Sequence, residues 1–477
     1  MSPAAPPDPA GARPAPPLVF VGGAAGALAP FVVFLGGTGA LAAAGAPDEK
    51  GFWPVLVAAL VTGLALARDR TRWAETLLAG MSQPMVALML CAWLFAGILG
   101  TVLGEAGFVT ALAATVRDAA LGPAAYTAAA FVACAIVSAA TGTSFGTILL
   151  CGPVLYPAGG AVGAAPAALM GAILAGATWG DSMSPLSDTS IASSGTQQVD
   201  LGGTVRRRLV YAVPAGAVAL AASAWLGGRG AAPVSTGALA MLPHEARALW
   251  LGLVPVACIA LLLARRHLVE ALLAGVAAAV LGGLALGVLA PADVLRIDAA
   301  RYAATGVIVQ GMERAVGVSV FTLLLVGLVA TLQATQLIER TVARVAGRAR
   351  TPRTAEWWIV AMASGAVLLT THSVVAILAV GEMARRTGAA LGVDGYRRAN
   401  LLDLTVCTWP FLLPFFLPTI LAAGATRSGT ALGMPVLSPG VVGLHNSYAW
   451  ALVVMVLVAV TTGYGRRGAG GAGNRDT

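Results

Sequence analysis

The sequence predicts an all-α polytopic membrane protein made of two inverted-topology repeats, each of about five transmembrane helices plus a re-entrant hairpin and a discontinuous helix. Three observations lead there. The 477 residues are 58% hydrophobic and 10% charged, against roughly 25% charged in soluble domains. Apolar runs of about 20 residues, the length that crosses hydrocarbon as a helix, recur along the chain. The same succession of elements also comes round twice, at an offset of roughly 230 to 240 residues.

Taken in order, apolar runs lie near 17–44, 51–67, 81–103, 203–228, 246–264, 267–290, 315–333 and 444–464. Three further stretches, 121–165, 166–195 and 354–425, are apolar but interrupted by Gly, Pro, Ser, Thr and acids. Runs 17–67 match runs 246–290, and 81–103 matches 315–333. An amphipathic stretch follows in each half, "EAGFVTALAATVRDAA" and "LIERTVARVAGRARTPR". Next comes an apolar segment broken at a polar tip, "TGTSFGT" at 141–147 and "TTHSV" at 370–374. A helix with a polar break, around 180–190 and 403–410, and a final span close each half. The expected units are a tail at 1–16, a first repeat at 17–228, a linker at 229–245, a second repeat at 246–465 and a tail at 466–477. If each broken segment is a re-entrant hairpin, a half crosses five times, and an odd number of crossings forces opposite orientations.

Loop charge gives orientation independently. Cytoplasmic termini put Arg68, Arg70, Arg72, Arg206, Arg207, Arg208, Arg265, Arg266, Arg340, Arg344, Arg348, Arg350, Arg353, Arg385, Arg386, Arg397, Arg398, Arg466 and Arg467 on the inner side. With Arg13 and Arg475 that is 21 of the 29 Lys and Arg residues, the bias expected of cytoplasmic loops. The net charge of +8 is thereby accounted for, and without a basic patch interleaved with aromatics nucleic acid is not an expected partner. Cys91, Cys134, Cys151, Cys258 and Cys407 all lie in apolar runs without CxxC spacing, which points to packing thiols rather than disulfides or zinc. No nucleotide motif is present, and no cofactor is expected.

The chemistry concentrates in "GDSMSPLSDTS" at 180–190. Pro185 has no N–H and would clash with the carbonyl of Asp181 in a continuous helix, while Ser184, Ser187, Thr189 and Ser190 can bond freed backbone. The helix should therefore break between Asp181 and Asp188. Unwound backbone at membrane depth must line a cavity or bind something. A carboxylate there is costly unless paired, protonated or bound to a cation, and no Lys or Arg lies between 118 and 205. That leaves a proton or a metal cation, and hard cations choose oxygen ligands. The tip at Thr141–Thr147 adds the hydroxyls of Thr143 and Ser144. In the second half Asp403, Thr405 and Thr408, with Pro410, Pro414 and Pro418, form the symmetric break. His372 and Ser373 sit at the other tip, and His372 is a candidate for proton coupling. Glu382, before Arg385 and Arg386, should pair at the interface, and Glu270 is expected to be structural.

These residues resemble the NhaC-type sodium/proton antiporter family, part of the larger ion-transporter group. Its signature Gly-Asp-x-Met-Ser-Pro-Leu-Ser-Asp-Thr-Thr is matched by Gly180, Asp181, Met183, Ser184, Pro185, Leu186, Ser187, Asp188 and Thr189. The tip Thr141–Thr147 and "DLGGTVRRRLVY" are similar to further stretches of the family. The chain departs from it at Ser182, Ser190, Phe145 and Trp409. The resemblance implies a secondary antiporter in the cell inner membrane exchanging sodium for protons by alternating access. Asp181 and Asp188 would bind sodium transiently, and Ser144, Ser184, Ser187, Thr189, Asp403, Thr405 and Thr408 would contribute to the ion and proton path. Sodium, protons and the bilayer are the expected partners, with a homodimer as the candidate assembly. A carrier of a small organic acid, malate or lactate, with the hydroxyl-rich tips holding the anion, is the alternative. An intramembrane aspartyl protease is disfavoured because "TWGD" has Thr178 where its motif requires glycine, so no enzyme activity is expected.

Overall fold

The computed structural model describes residues 16–43, 49–119, 121–229, 243–264, 266–299, 302–338, 340–341 and 349–466. The expected tails at 1–16 and 466–477 and the linker at 229–245 lie almost entirely outside the described residues.

The first half consists of α1 (Ala24–Ala43), α2 (Trp53–Leu66), α3 (Arg70–Met81), α4 (Pro84–Glu105), α5 (Phe108–Asp118), α6 (Pro123–Thr141), α7 (Ser144–Gly160), α8 (Pro166–Met183), α9 (Asp188–Gln197) and α10 (Leu201–Gly227). After the short α11 (Pro243–Ala248), the second half runs through α12 (Leu253–Leu263), α13 (Leu268–Ala285), the one-turn α14 (Pro291–Val294), β1 (Arg296–Asp298), β2 (Ala303–Thr305) and α15 (Val307–Gln333). It ends with α16 (Pro352–Thr370), α17 (Ser373–Ala390), α18 (Gly395–Val406), α19 (Leu417–Ala425), α20 (Pro439–Leu444) and α21 (Ser447–Thr462).

Helix starts follow from sequence. Pro84, Pro123, Pro166 and Pro352 each open a helix, where the missing N–H costs nothing because the first-turn donors are unpaired anyway. Asp69, Asp200 and Asn446 cap α3, α10 and α21 through their side chains. Among the described residues, six helices are long and apolar enough to cross a membrane: Ala24–Leu41, Val86–Glu105, Pro123–Thr141, Leu201–Gly227, Leu268–Ala285 and Val307–Gln333. Shorter apolar helices at Lys50–Leu66, Ala246–Leu262 and Ser447–Thr462 occupy the remaining expected spans.

Two elements differ from expectation. The arginine-bearing stretch after α2 is the helix α3 rather than a loop. It buries Trp73 and lays Gly80 against α15, where an added Cβ would stand 2.4 Å from that of Ala330. The all-α pattern is also interrupted by an antiparallel pair, Arg296–Asp298 with Ala303–Thr305, which is largely exposed. Three-residue strands are too short to leave a periodic signal.

Elements in matching positions of the two halves pack reciprocally. Helix α4 packs on its counterpart α15, and α10 on its counterpart α21. Helix α7 meets α19 while its counterpart α17 meets α9, and α8 meets α21 while α18 meets α10. In the centre, α8 is buried from Ala168 to Thr178. It approaches its neighbours through glycines: a Cβ on Gly176 would lie 2.1 Å from the Phe131 carbonyl oxygen, and one on Gly180 2.2 Å from that of Ala135. Small residues at such crossings let backbones touch where no hydrophobic drive separates helix from lipid.

This packing predicts that Gly176→Ala lowers thermal stability in detergent by about 1–3 kcal/mol, the cost of overpacking. Gly365→Ala, whose Cβ meets nothing within 4 Å, should be neutral or gain up to about 1 kcal/mol from helix propensity. Equal melting temperatures for the two variants would contradict the close α6–α8 approach.

Candidate cation site at two helix breaks

The site begins with two turns. The first hairpin bends at Gly142 (φ 70, ψ 22) and Thr143 (φ −143, ψ 117). The second bends at Thr371 (φ 53, ψ 12) and His372 (φ −136, ψ 119). The same two-residue geometry thus recurs in both halves, although at Thr371 a β-branched residue takes the left-handed conformation that glycine adopts freely. Each tip touches a helix break. A Cβ on Gly142 would stand 2.7 Å from the Leu186 carbonyl carbon, and Ser373 Oγ donates to the Val406 carbonyl at 3.0 Å.

The first break lies between α8 and α9. The Ser184 N–H closes on the Asp181 carbonyl at 3.0 Å. The Leu186 N–H, which in a continuous helix would reach the Ser182 carbonyl, instead donates to Ser184 Oγ at 3.1 Å. Asp181 ends up in the last turn of α8 and Asp188 at the first position of α9. The second break runs from Val406 to Leu417, with a single 3-10 turn, Trp409–Phe411, inside it. Asp403 stands in the last turn of α18, as Asp181 does in that of α8.

A cavity of about 180 Å³ opens where tips and breaks converge. Its lining includes Thr143, Ser144, Asp181, Ser187, Asp188, Thr189 and His372, together with Cys407 and Pro410. Ser144 Oγ donates to Asp181 Oδ2 at 2.9 Å. Asp181 Oδ1 and His372 Nδ1 are both buried with no hydrogen-bond partner. Asp188 is exposed. Among the described residues no three His, Cys, Asp or Glu side chains cluster, so a cation held here would rest on two carboxylates, hydroxyls and freed carbonyls.

Other expected residues sit elsewhere. Ser184 is buried in the turn and does not line the cavity. Thr408 donates back to the Leu404 carbonyl at 2.7 Å, and Thr405 is buried with its hydroxyl unpartnered. Neither lines the cavity. Asp403 lies behind the cavity wall, accepting from Thr189 Oγ1 and Ser193 Oγ, each at 3.2 Å. Glu382 pairs with Arg385 and Arg386, and Glu270 stands 3.7 Å from Arg266 at the exposed start of α13.

Three arginines expected in loops are internal. Arg208 is not a cytoplasmic loop residue: it is fully buried and its Nη2 stands 2.6 Å from Asp403 Oδ2, with both side chains at 0% exposure. Its Nη1 donates to the Ser182 carbonyl at 2.8 Å and to Ser190 Oγ at 2.6 Å, and its Nε to Asn400 Oδ1 at 2.9 Å. A basic group therefore does reach the acidic cluster, brought by α10, and it neutralises Asp403 while taking the carbonyl that the break set free. The signal was present in the spacing: Thr204, Arg208, Tyr211, Ala212 and Ala215 are the buried face of α10, recurring at three and four residues. Arg397 is likewise internal, paired with the buried Glu356, which also takes the exposed Arg466, and Arg398 is buried with its Nε donating to Gln197 Oε1 at 2.9 Å.

The family model described as the Na+/H+ antiporter family matches residues 26–225. The chain is 41% identical over 80 residues to the malate-2H(+)/Na(+)-lactate antiporter of Bacillus subtilis, 17% of either chain. It is 32% identical over 130 residues to the Na(+)/H(+) antiporter NhaC of Alkalihalophilus pseudofirmus, 27% of this chain and 26% of that one. It is 36% identical over 107 residues to the arginine/ornithine antiporter ArcD of Halobacterium salinarum, 22% of either. This chain thus aligns with about a sixth to a quarter of the length of these relatives, all of them antiporters. The resemblance carried by the 180–190 motif is accordingly to the Na+/H+ antiporter family, and it holds over residues 26–225.

Proposed function

We propose that this multi-pass membrane protein is a secondary transporter exchanging sodium for protons by alternating access, with Asp181 and Asp188 as the shared site. The observation that carries the reading is the Asp181 carboxylate: one oxygen is held by Ser144, and the other is buried, unpartnered and on a cavity where both helix breaks meet. A buried anion in that position is stable only with a proton or a cation. Asp403, its counterpart in the other half, has its charge answered by Arg208. The exchangeable charge is therefore confined to Asp181 and Asp188, and one occupant expels the other. Ser144, Ser187 and Thr189 would complete an oxygen shell around sodium. His372, with a bare Nδ1 on the same cavity, is the candidate relay for the proton. The reciprocal halves support alternating access, which needs two bundles rocking about one site. Inverted orientation of the repeats and cytoplasmic termini belong to this proposal and rest on crossing parity and arginine placement.

A second reading, a sodium- or proton-coupled carrier of a small organic acid, is favoured by the Bacillus subtilis relative, a malate and lactate antiporter by name.

In everted vesicles, Asp181→Asn and Asp188→Asn should each abolish sodium-driven proton movement read with a pH-sensitive dye. Full activity in either variant would remove that residue from the site. Arg208→Leu, which strands Asp403, should cost about 3–5 kcal/mol of stability, seen as a large fall in melting temperature in detergent. Arg208→Leu with Asp403→Leu should recover most of it. If the double variant melts no higher than the single one, the two charges do not answer each other.

A further inference from the structure

We propose that Cys407 determines how tightly the transported cation is held, its thiol keeping the ion on Asp181 and Asp188 and off Asp403; this rests on the sodium/proton reading and names a selectivity-determining residue of that same site. Of the five cysteines, Cys407 lines the cation cavity and the other four do not. It follows directly on α18, where its N–H closes on the Asp403 carbonyl at 2.9 Å. Side chains four apart on a helix share a face, so thiol and carboxylate come together.

Asp403 turns one oxygen to Arg208 and the other to the cavity wall. Oδ2 takes Arg208 Nη2 at 2.6 Å and Ser193 Oγ at 3.2 Å. Oδ1 accepts from Thr189 Oγ1 at 3.2 Å and from Cys407 Sγ at 3.3 Å, and these two donors, 3.6 Å apart, both line the cavity. They form the partition between the ion and the second acid, and its two parts are chemically unequal. A hydroxyl can donate to Asp403 and still turn a lone pair to sodium. A thiol is a weak donor whose soft sulfur is a poor ligand for a hard cation, which takes oxygen instead.

The two halves differ at this place. Four residues after Asp181 stands Pro185, exposed and without a polar side-chain atom, and Asp181 Oδ1 has no partner. Four residues after Asp403 stands Cys407, and Asp403 Oδ1 is covered. An ion in the cavity thus finds one bare carboxylate oxygen, on Asp181, and on the opposite wall a sulfur where an oxygen would bridge it to Asp403. Such an ion is held from one side and leaves readily, which exchange requires.

The test is sodium-driven proton exchange in everted vesicles by Cys407→Thr and Cys407→Val, which share a shape and differ by one hydroxyl. Cys407→Thr puts an oxygen on that wall, and its KM for sodium should be about tenfold below that of Cys407→Val, the gain of one contact to a charged partner. Its maximal rate should also be the lower of the two, because the tighter ion leaves more slowly. Equal KM values would overturn the proposal and leave Cys407 a packing thiol. A second measurement needs no substitution. Methylmercury chloride joins mercury to sulfur as the S–H bond breaks, chloride leaves and the proton passes to water, and mass spectrometry locates the adduct. In the purified protein sodium should slow this reaction at Cys407 saturably, relative to choline at the same concentration. A rate at Cys407 that sodium does not change would put the thiol away from the ion and overturn the proposal as well. Exchange by the unaltered protein together with equal KM values removes Cys407 alone, whereas no exchange by the unaltered protein removes the cation reading and the role of Cys407 with it.

Discussion

The arrangement depends on one buried ion pair, Arg208 with Asp403. Both side chains are at 0% exposure and 2.6 Å apart, so neither could be there alone. Removing a partner would leave a bare charge in the low-dielectric interior, which is far costlier than the pair itself. The guanidinium does more than neutralise. It takes the Ser182 carbonyl orphaned by the break after α8, the Ser190 hydroxyl of α9 and the Asn400 side chain of α18. One residue thereby fixes both sides of the first break to the acid-bearing helix of the second.

Fixing one acid leaves the other distinct. The two halves offer equivalent aspartates, each in the last turn before a break, yet the arginine serves only Asp403. Asp181 keeps an unpartnered oxygen toward the cavity. The proposed exchange turns on that inequality: a carboxylate permanently answered by arginine cannot release a cation and take a proton, whereas a buried unpaired one must hold one or the other. Residues of both hairpin tips line the one cavity, and in the proposed exchange the unequal pairing of the two aspartates is what leaves Asp181 able to change its occupant.

Much of this was legible in the sequence. Pro185 between two aspartates announced the first break, and Pro410, Pro414 and Pro418 the second, because a residue without an N–H cannot continue a helix. The tips at Gly142–Thr143 and Thr371–His372 could be read from small and hydroxyl residues interrupting apolar runs. Arg208 could not be placed by counting charges, since in a triplet of arginines composition alone does not say which one the helix turns inward. That depended on α10 starting at Leu201, which sets the angle of each following side chain. Helix α3 was hidden for a related reason: charges that suggest a loop also suit an interfacial helix whose one large buried side chain, Trp73, packs inward. Thr405 and Thr408 show the limit of proximity in sequence, because one residue's shift along a helix turns a hydroxyl by about 100°, away from the cavity.

The central claim, that a cation and a proton compete for Asp181 and Asp188 while Asp403 stays paired, is tested most directly by proton release on sodium addition to the purified protein in weakly buffered detergent solution. Competition at these two acids gives a saturable release that is lost when Asp181 and Asp188 are both replaced by asparagine. Sodium binding without any release, or a release that survives in that double variant, would contradict it.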